Sequence, residues 1–278
     1  MIIIVDGGST KIDWRIIDGK NTKQVITKGF NPYYHESGLL EGFAAEVAAQ
    51  TEADEITDIF YYGTGCSSEA NYIKVSNALK TSFHNASSYV YHDLLASARA
   101  VLKDRKGIAC ILGTGSNSCL YDGKSVVENV PSVGWLIGDE GSGTYLGKLL
   151  ITDYMRFLMP NDIKSALEDE YKLTFEEVLN CMYSKPSPNS FFAQFPPFIE
   201  KHIDNEYCRN LLMKNFDDFY YWQISKYTGF QNEELGFVGS IAFYFREYLR
   251  EWAEKYGLNI GTIIKVPMDG LIEYHSQR

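Results

Sequence analysis

Two segments of this chain carry a pattern that few folds can use. An apolar run meets a turn of glycines and hydroxyl residues, and a second run leads away. The first is Ile2–Val5, then Asp6-Gly7-Gly8-Ser9-Thr10-Lys11, then Ile12–Ile17. The second is Ile108–Leu112, then Gly113-Thr114-Gly115-Ser116-Asn117, then Ser118–Tyr121. Short apolar runs bounded by turn residues read as strands, so each segment reads as a β-hairpin. Paired glycines remove side chains and let backbone N–H groups approach a ligand, and the hydroxyls add donors. Such a concavity suits an anionic oxygen, above all a phosphate. A lone glycine-rich turn is usually only a turn. Here it recurs about a hundred residues later, each time behind an apolar strand, and the first opens on Asp6. That recurrence predicts two similar halves gripping one polyphosphate.

The surrounding sequence repeats in the same way. Gln24–Gly29 supplies a third strand after the turn Asp18-Gly19-Lys20-Asn21, and Lys124–Val127 does so in the second half. The charged break Lys103–Gly107 places a domain boundary near residue 104. Within the first half, spacing predicts a helix over Leu39–Thr51, a strand over Ile56–Tyr62 ending in Gly63-Thr64-Gly65-Cys66, and a helix over Glu69–Phe83. A strand over Ser87–Tyr91 and a helix over Leu94–Leu102 follow. In the second half, Gly134–Gly143 reads as a glycine-rich loop holding Asp139 and Glu140, ahead of a helix spaced by Tyr145, Leu149 and Phe157. Helices are expected at Phe175–Tyr183, Phe191–Glu206 and Tyr207–Tyr227, broken by Pro186, Pro188, Pro196 and Pro197. Their aromatic stripe (Phe216, Phe219, Tyr220, Trp222) reads as packing core. A strand from Leu235 runs into Gly239-Ser240, followed by one long helix Ile241–Trp252, a last strand Ile260–Val266 and a terminal helix after Pro267.

Three acidic or amide positions stand out. Asp93 closes a strand and opens a helix, where ligand groups collect in open α/β sheets; the plainer reading is a helix N-cap. Asn31 is restrained by Pro32 to an extended conformation, and a loop with an Asx-turn is the plainer reading. Asp139 and Glu140 could be no more than favourable charge at a helix N-terminus. No G-x-x-x-x-G-K-[ST] loop, protein-kinase H-R-D or D-F-G set, or G-x-S-x-G elbow is present. The spacing Gly141-x-Gly143-x-x-x-Gly147 departs from the dinucleotide fingerprint.

A chain of 278 residues fits about two domains. A net charge of −10 argues against nucleic acid or an anionic membrane as partner. An acidic protein holds a nucleotide through Mg²⁺ and backbone donors instead. The five cysteines are odd in number and lack C-x-x-C spacing, so no disulfide framework or zinc site is indicated. No secretion signal and no run of membrane-spanning length is read, so the expected location is the cytoplasm.

As an ordered set, these motifs resemble the sugar kinase/heat-shock ATPase/actin superfamily. Within it they resemble the N-acetylglucosamine kinase branch, grouped with BadF/BadG/BcrA/BcrD-type ATPases. The matching residues are Asp6–Trp14, Asn31-Pro32, His92-Asp93, Gly113–Ser116, Gly134-Trp135 with Gly138–Ser142, and Gly236 with Gly239-Ser240. The resemblance implies an α/β protein of two ribonuclease-H-like, actin-like ATPase domains with a central cleft. These are residues 1–104 and 105–266, with a helical insertion at about 160–228, and 267–278 forms a terminal helix packing back toward the N-terminal domain. It implies an ATP-dependent kinase acting on a hydroxyl of N-acetylglucosamine or a related amino sugar. Asp6 would orient Mg²⁺. Gly7, Gly8, Ser9, Thr10 and Lys11, with Gly113, Thr114, Gly115 and Ser116, would hold ATP phosphates, and Gly239 and Ser240 would lie on the adenosine side. Asp93 would be the general base, and Asn31, Asp93, Asp139 and Glu140 would meet the sugar. Trp14 and Tyr33-Tyr34 are candidates for the acyl-amide pocket. The aromatic helical region is a candidate homodimer surface. The alternatives are an activator ATPase driving electron transfer, with Cys66 as a candidate cluster ligand, and an amino-sugar sensor without turnover.

Overall fold

The computed structural model describes residues 1–183 and 188–276. Its backbone divides into two compact units, Met1–Lys103 with the segment from Pro267, and Asp104–Val266. The first opens with three antiparallel strands, β1 (Ile2–Gly7), β2 (Lys11–Asp18) and β3 (Asn21–Lys28). Helix α1 (Ser37–Ala48), strand β4 (Asp58–Gly63), helix α2 (Glu69–Lys80), strand β5 (Ser87–His92) and helix α3 (Asp93–Leu102) follow. The sheet order is β3-β2-β1-β4-β5, with β4 and β5 parallel to β1. Ile3, Ile4 and Val5 are wholly buried, as a central strand covered on both faces requires.

The second unit repeats this plan. Strands β6 (Gly107–Leu112), β7 (Ser116–Tyr121) and β8 (Val126–Glu128) form its antiparallel meander. Helices α4 (Gly134–Ile137), α5 (Gly143–Met155), α6 (Asn161–Tyr171), α7 (Phe175–Tyr183), α8 (Pro188–Phe192), α9 (Pro196–Lys201) and α10 (Glu206–Trp222) intervene. Strand β9 (Glu234–Val238), helices α11 (Ser240–Tyr244) and α12 (Arg246–Lys255) and strand β10 (Asn259–Ile264) complete it. The order β8-β7-β6-β9-β10, with β9 and β10 parallel to β6, reproduces the first sheet strand for strand. The expected pair of ribonuclease-H-like α/β domains is therefore present.

The chain ends in α13 (Met268–Ser276), which belongs to the first unit. Leu271 and Tyr274 are buried there, and the His275 ring stacks on Phe60 at 4.0 Å. A Cβ on Gly270 would strike the Ala100 carbonyl at 2.5 Å, so this glycine lets α13 lie directly on α3.

Several sequence expectations need correction. Phe191–Glu206 is not one helix: Pro196 opens α9 as its first residue, and Asn205 caps α10 by accepting the Tyr207 N–H at 3.0 Å. Ile241–Trp252 is two helices. Phe245 lies in the core at the break, and its backbone leaves helical geometry at φ −99° and ψ 24°. The Gly134–Gly143 loop contains the helical turn α4, and Trp222 is 52% exposed rather than core. Trp14 has no access to any pocket. It lies on β2 with its side chain wholly buried in the first unit's core, and its indole N–H donates to Thr27 Oγ1 at 2.9 Å. The break expected at Pro186 lies outside the described residues. Among the described residues no helix is long and apolar enough to cross a membrane.

Candidate functional site

In the first unit, β1 delivers Asp6 to the strand end, opposite Asp13 on β2 and beside Tyr62 on β4. The turn then closes tightly, with the Gly8 N–H donating to the Lys11 carbonyl at 3.0 Å and Ser9, Thr10 and Lys11 exposed. Gly7 is required because a Cβ there would meet the Tyr61 hydroxyl at 2.6 Å. Gly29, missed at the sequence level, is required because a Cβ would collide with the Ser9 carbonyl at 2.2 Å. Burial, then the charges of Asp13 and Asp93, push the Asp6 carboxyl up to about 6, against the pull of Lys11. The surplus of negative charge here is one that a cation would relieve.

Asp93 begins α3 at the end of β5. Correcting the plainer reading, the N-cap is His92, and Asp93 is the first helical residue. Its Oδ2 accepts the Thr64 hydroxyl at 3.0 Å, and Oδ1 lies 2.7 Å from His92 Nδ1. The same Nδ1 lies 3.1 Å from the Leu94 N–H. A ring nitrogen accepts from Leu94 only without a proton and donates to the carboxylate only with one, so the two contacts belong to the neutral and the protonated ring respectively. Burial alone would raise the Asp93 pKa. The His92 bond and charge outweigh it, helped by Thr64 and the Leu94 N–H, and hold the carboxyl below the usual range. The bond to Asp93 in turn raises the His92 pKa. Thr64 escaped the sequence reading although a signal existed: Gly63-Thr64-Gly65 repeats the Gly113-Thr114-Gly115 pattern.

Asn31 is 6% exposed. Its Oδ1 accepts the Tyr33 N–H at 3.0 Å, as an Asx-turn requires, and its Nδ2 donates to Ser9 Oγ at 3.3 Å. The amide thus touches the first glycine turn while keeping capacity for a further donor and acceptor. Gly65 permits this, since a Cβ would lie 2.6 Å from Asn31 Oδ1. Tyr33 bonds to Ser67 through its hydroxyl at 2.9 Å, and Tyr34 is 83% exposed.

In the second unit, the Gly113 N–H donates to the Gly115 carbonyl at 3.0 Å, closing the turn between β6 and β7. Helix α5 is fastened to it: the Gly143 N–H donates to the Gly113 carbonyl at 2.8 Å, and the Thr144 hydroxyl to the Thr114 carbonyl at 2.7 Å. Gly239 adopts φ +130°, and a Cβ there would lie 2.2 Å from the Leu112 carbonyl, so only glycine lets the β9–α11 corner sit over the end of β6. These close approaches bring Gly113, Thr114 and Ser240 to one mostly apolar cavity of about 380 Å³. Pro196, Pro197, Ile241 and Tyr244 complete its walls, with Glu200 its charged group. Gly239, Asp139 and Glu140 do not line it.

Asp139 is 8% exposed at φ +60°. Its Oδ2 lies where a Cβ on Gly115 would approach to 2.9 Å, so the carboxylate packs against the second glycine turn. Burial raises its pKa, and the Ser116 N–H and Lys148 oppose that rise. Burial likewise raises the Glu140 pKa against the pull of its own N–H and Lys148, with Asp218 adding to the rise. Asn215 on α10 was invisible in the sequence. It is wholly buried and accepts the Gly141 N–H at 3.1 Å. Among the described residues no cluster of three or more His, Cys, Asp or Glu side chains is placed to hold a metal ion. All five cysteines are buried thiols, and burial followed by the Asp93 charge pushes Cys66 up to about 12.

Twin sheets of equal order, each with a glycine turn closing its first strand, are the fold of the actin-like ATPases and sugar kinases. Solved structures share this fold. A candidate N-acetylglucosamine kinase from Chromobacterium violaceum aligns at TM-score 0.70 and 16% identity over 98% of each chain. A candidate sugar kinase from Cytophaga hutchinsonii aligns at TM-score 0.57 and 12% identity over 94% of each chain. No protein-family model and no curated protein matches the chain. A candidate N-acetylglucosamine kinase from Porphyromonas gingivalis is 38% identical, covering 100% of this chain and 99% of its own, at TM-score 0.92. The chain belongs to the N-acetylglucosamine kinase family that this protein represents.

Proposed function

We propose that this protein transfers the terminal phosphoryl group of ATP to a hydroxyl of N-acetylglucosamine or a related amino sugar. The observation that carries the reading is Asp93, a carboxylate held ionised by His92 and Thr64 at a strand end, near enough for its charge to raise the Asp6 pKa. Phosphoryl transfer needs positioning and charge neutralisation more than covalent chemistry. The sugar hydroxyl oxygen bonds to the γ-phosphorus as the bond to the β,γ-bridging oxygen breaks. Its proton passes to Asp93, and ADP leaves. The low pKa of Asp93 suits a loose transition state, in which the proton moves late and the base mainly orients the hydroxyl. Asn31, with unused amide capacity, and the Asp139–Glu140 pair meet the other hydroxyls.

The cavity of the second unit takes the adenosine. Its flat apolar walls suit a base, and Ser240 and Glu200 suit ribose hydroxyls. The turns Gly7–Lys11 and Gly113–Ser116 take the phosphates. Asp6 fits magnesium, because its carboxyl is destabilised by its own surroundings and Mg²⁺ keeps most of its waters and needs few protein ligands. When bound, the ion neutralises phosphate charge. An acidic, ATP-using enzyme of this kind is proposed to act in the cytoplasm on small molecules, without a nucleic-acid or membrane partner; a homodimer through the aromatic helical region is part of the proposal. The wholly buried Cys66 speaks against a shared surface cluster and hence against an electron-transfer role.

The test is coupled ADP release over a panel of amino sugars and hexoses. Turnover with N-acetylglucosamine or a close relative, dependent on ATP and Mg²⁺, is expected. Calorimetric sugar binding without ADP release from any of them would replace the kinase with a sensor.

A further inference from the structure

The segment from Val133 to Gly141 is held against its own preferences. Four of its residues occupy left-handed backbone geometry: Val133 at φ +52°, Gly134 at +75°, Asp139 at +60° and Gly141 at +85°. For a β-branched valine this is a true outlier, tolerated only where the surroundings impose it. Apolar packing holds it at one point only: Trp135 packs against the core, while Leu136 and Ile137 on α4 are 72% and 75% exposed. A second, polar tether comes from α5. The Lys148 ammonium donates to the Trp135 carbonyl at 2.5 Å, within the helical turn, and to the Gly138 carbonyl at 3.3 Å, at its C-terminal end. The same ammonium lies over the Tyr145 ring, 5.1 Å from its centroid, and the Tyr145 hydroxyl donates to Asp218 at 3.0 Å. Its charge faces both Asp139 and Glu140. Helix α5 is itself fastened to the Gly113–Gly115 turn.

We propose that Lys148 is a positioning residue of the phosphotransfer reaction: it latches the 133–139 segment onto α5 and so sets the carboxylates of Asp139 and Glu140 for the amino sugar. The assignment rests on the kinase reading above for its effect on catalysis, but the latch itself does not. Trp135 and Gly138 offer carbonyls, which only a donor can hold, so a hydrocarbon of the same length cannot substitute. An arginine, with several N–H groups, can reach both.

Lys148→Met and Lys148→Arg in the full chain separate the two claims. Hydrogen exchange is followed at the Gly138 and Asp139 amides, which donate to Gly134 and Ser132 at 2.8 and 3.3 Å. These amides should exchange faster in Lys148→Met and near the wild-type rate in Lys148→Arg, with α5 unchanged in both. Since misplacing a binding group by about 1 Å costs up to about a hundredfold, KM for the amino sugar should rise about ten- to a hundredfold in Lys148→Met, with KM for ATP held within about twofold. Lys148→Arg should recover most of that loss. Wild-type exchange at both amides in Lys148→Met would overturn the latch, whatever the activity. Accelerated exchange with an unchanged sugar KM would overturn the positioning role, as would equal rises in both KM values. If the wild-type protein turns over no amino sugar, the kinase reading fails and the positioning role with it, while the exchange measurement still decides the latch.

Discussion

Replacing Asp93 by Asn tests the chemistry with little change of shape. The amide oxygen can still accept the Thr64 hydroxyl, which donates at 3.0 Å. What disappears is the group able to receive a proton, together with the charge-assisted contact to His92 at 2.7 Å. A positioned general base is worth about 10²–10⁴ in rate, or about 3–5.5 kcal/mol of barrier. Losing the hydrogen bonds of an ionised group costs the fold about 1–3 kcal/mol. Removing the Asp93 charge also relieves the repulsion felt by Asp6, which offsets part of that cost. Steady-state ADP release should therefore fall about a hundredfold or more, while the melting temperature moves only a few degrees and ATP affinity holds. The pH profile supplies a second check. Fold contacts lower the Asp93 pKa, so it protonates only in acid, and kcat of the wild-type enzyme should show no acid limb from this group between about pH 6 and 8. A variant within tenfold of wild type, or a wild-type acid limb centred in that range, would refute the assignment.

Asp6 carries the opposite shift. Its folded pKa of about 6 lies above the ordinary 3.8, so the protonated form favours folding; that contribution is complete below pH 3.8 and is lost as pH rises through about 6. Such a shift is worth about 3 kcal/mol at most, and solvent contact at this half-buried group leaves about 1–3 kcal/mol. In metal-free buffer, Asp6→Asn should raise the denaturation midpoint at pH 7.5, gain progressively less as pH falls and nothing near pH 4, while abolishing sugar phosphorylation. A stability gain equal at both pH values would count against the charge argument. Ala193 lines the cavity of the second unit. Ala193→Trp should fill that space, raising KM for ATP about tenfold or more by loss of pocket contacts and leaving calorimetric sugar affinity unchanged.

The sequence by itself determined the duplicated framework. A short β-branched run such as Ile2–Val5 bounded by turn residues reads as a strand, and glycine turns such as Gly113-Thr114-Gly115 mark where strands end, because both signals act over a few neighbouring residues. The places of Asp6, Asp93 and Gly239 at strand ends, and of Asn31 in an Asx-turn before Pro32, were legible for the same reason. Tertiary structure alone decided what those residues touch. Thr64 reaches Asp93 from 29 positions away, and Asn215 holds Gly141 from 74 away. Pro196 and Pro197 wall a cavity that no local pattern announces. It decided too that Trp14 packs inward and that a long amphipathic pattern breaks at Phe245, because burial in a shared core outweighs local helical preference. Such outcomes depend on which distant groups arrive at the same place, and that is settled only when the whole chain packs.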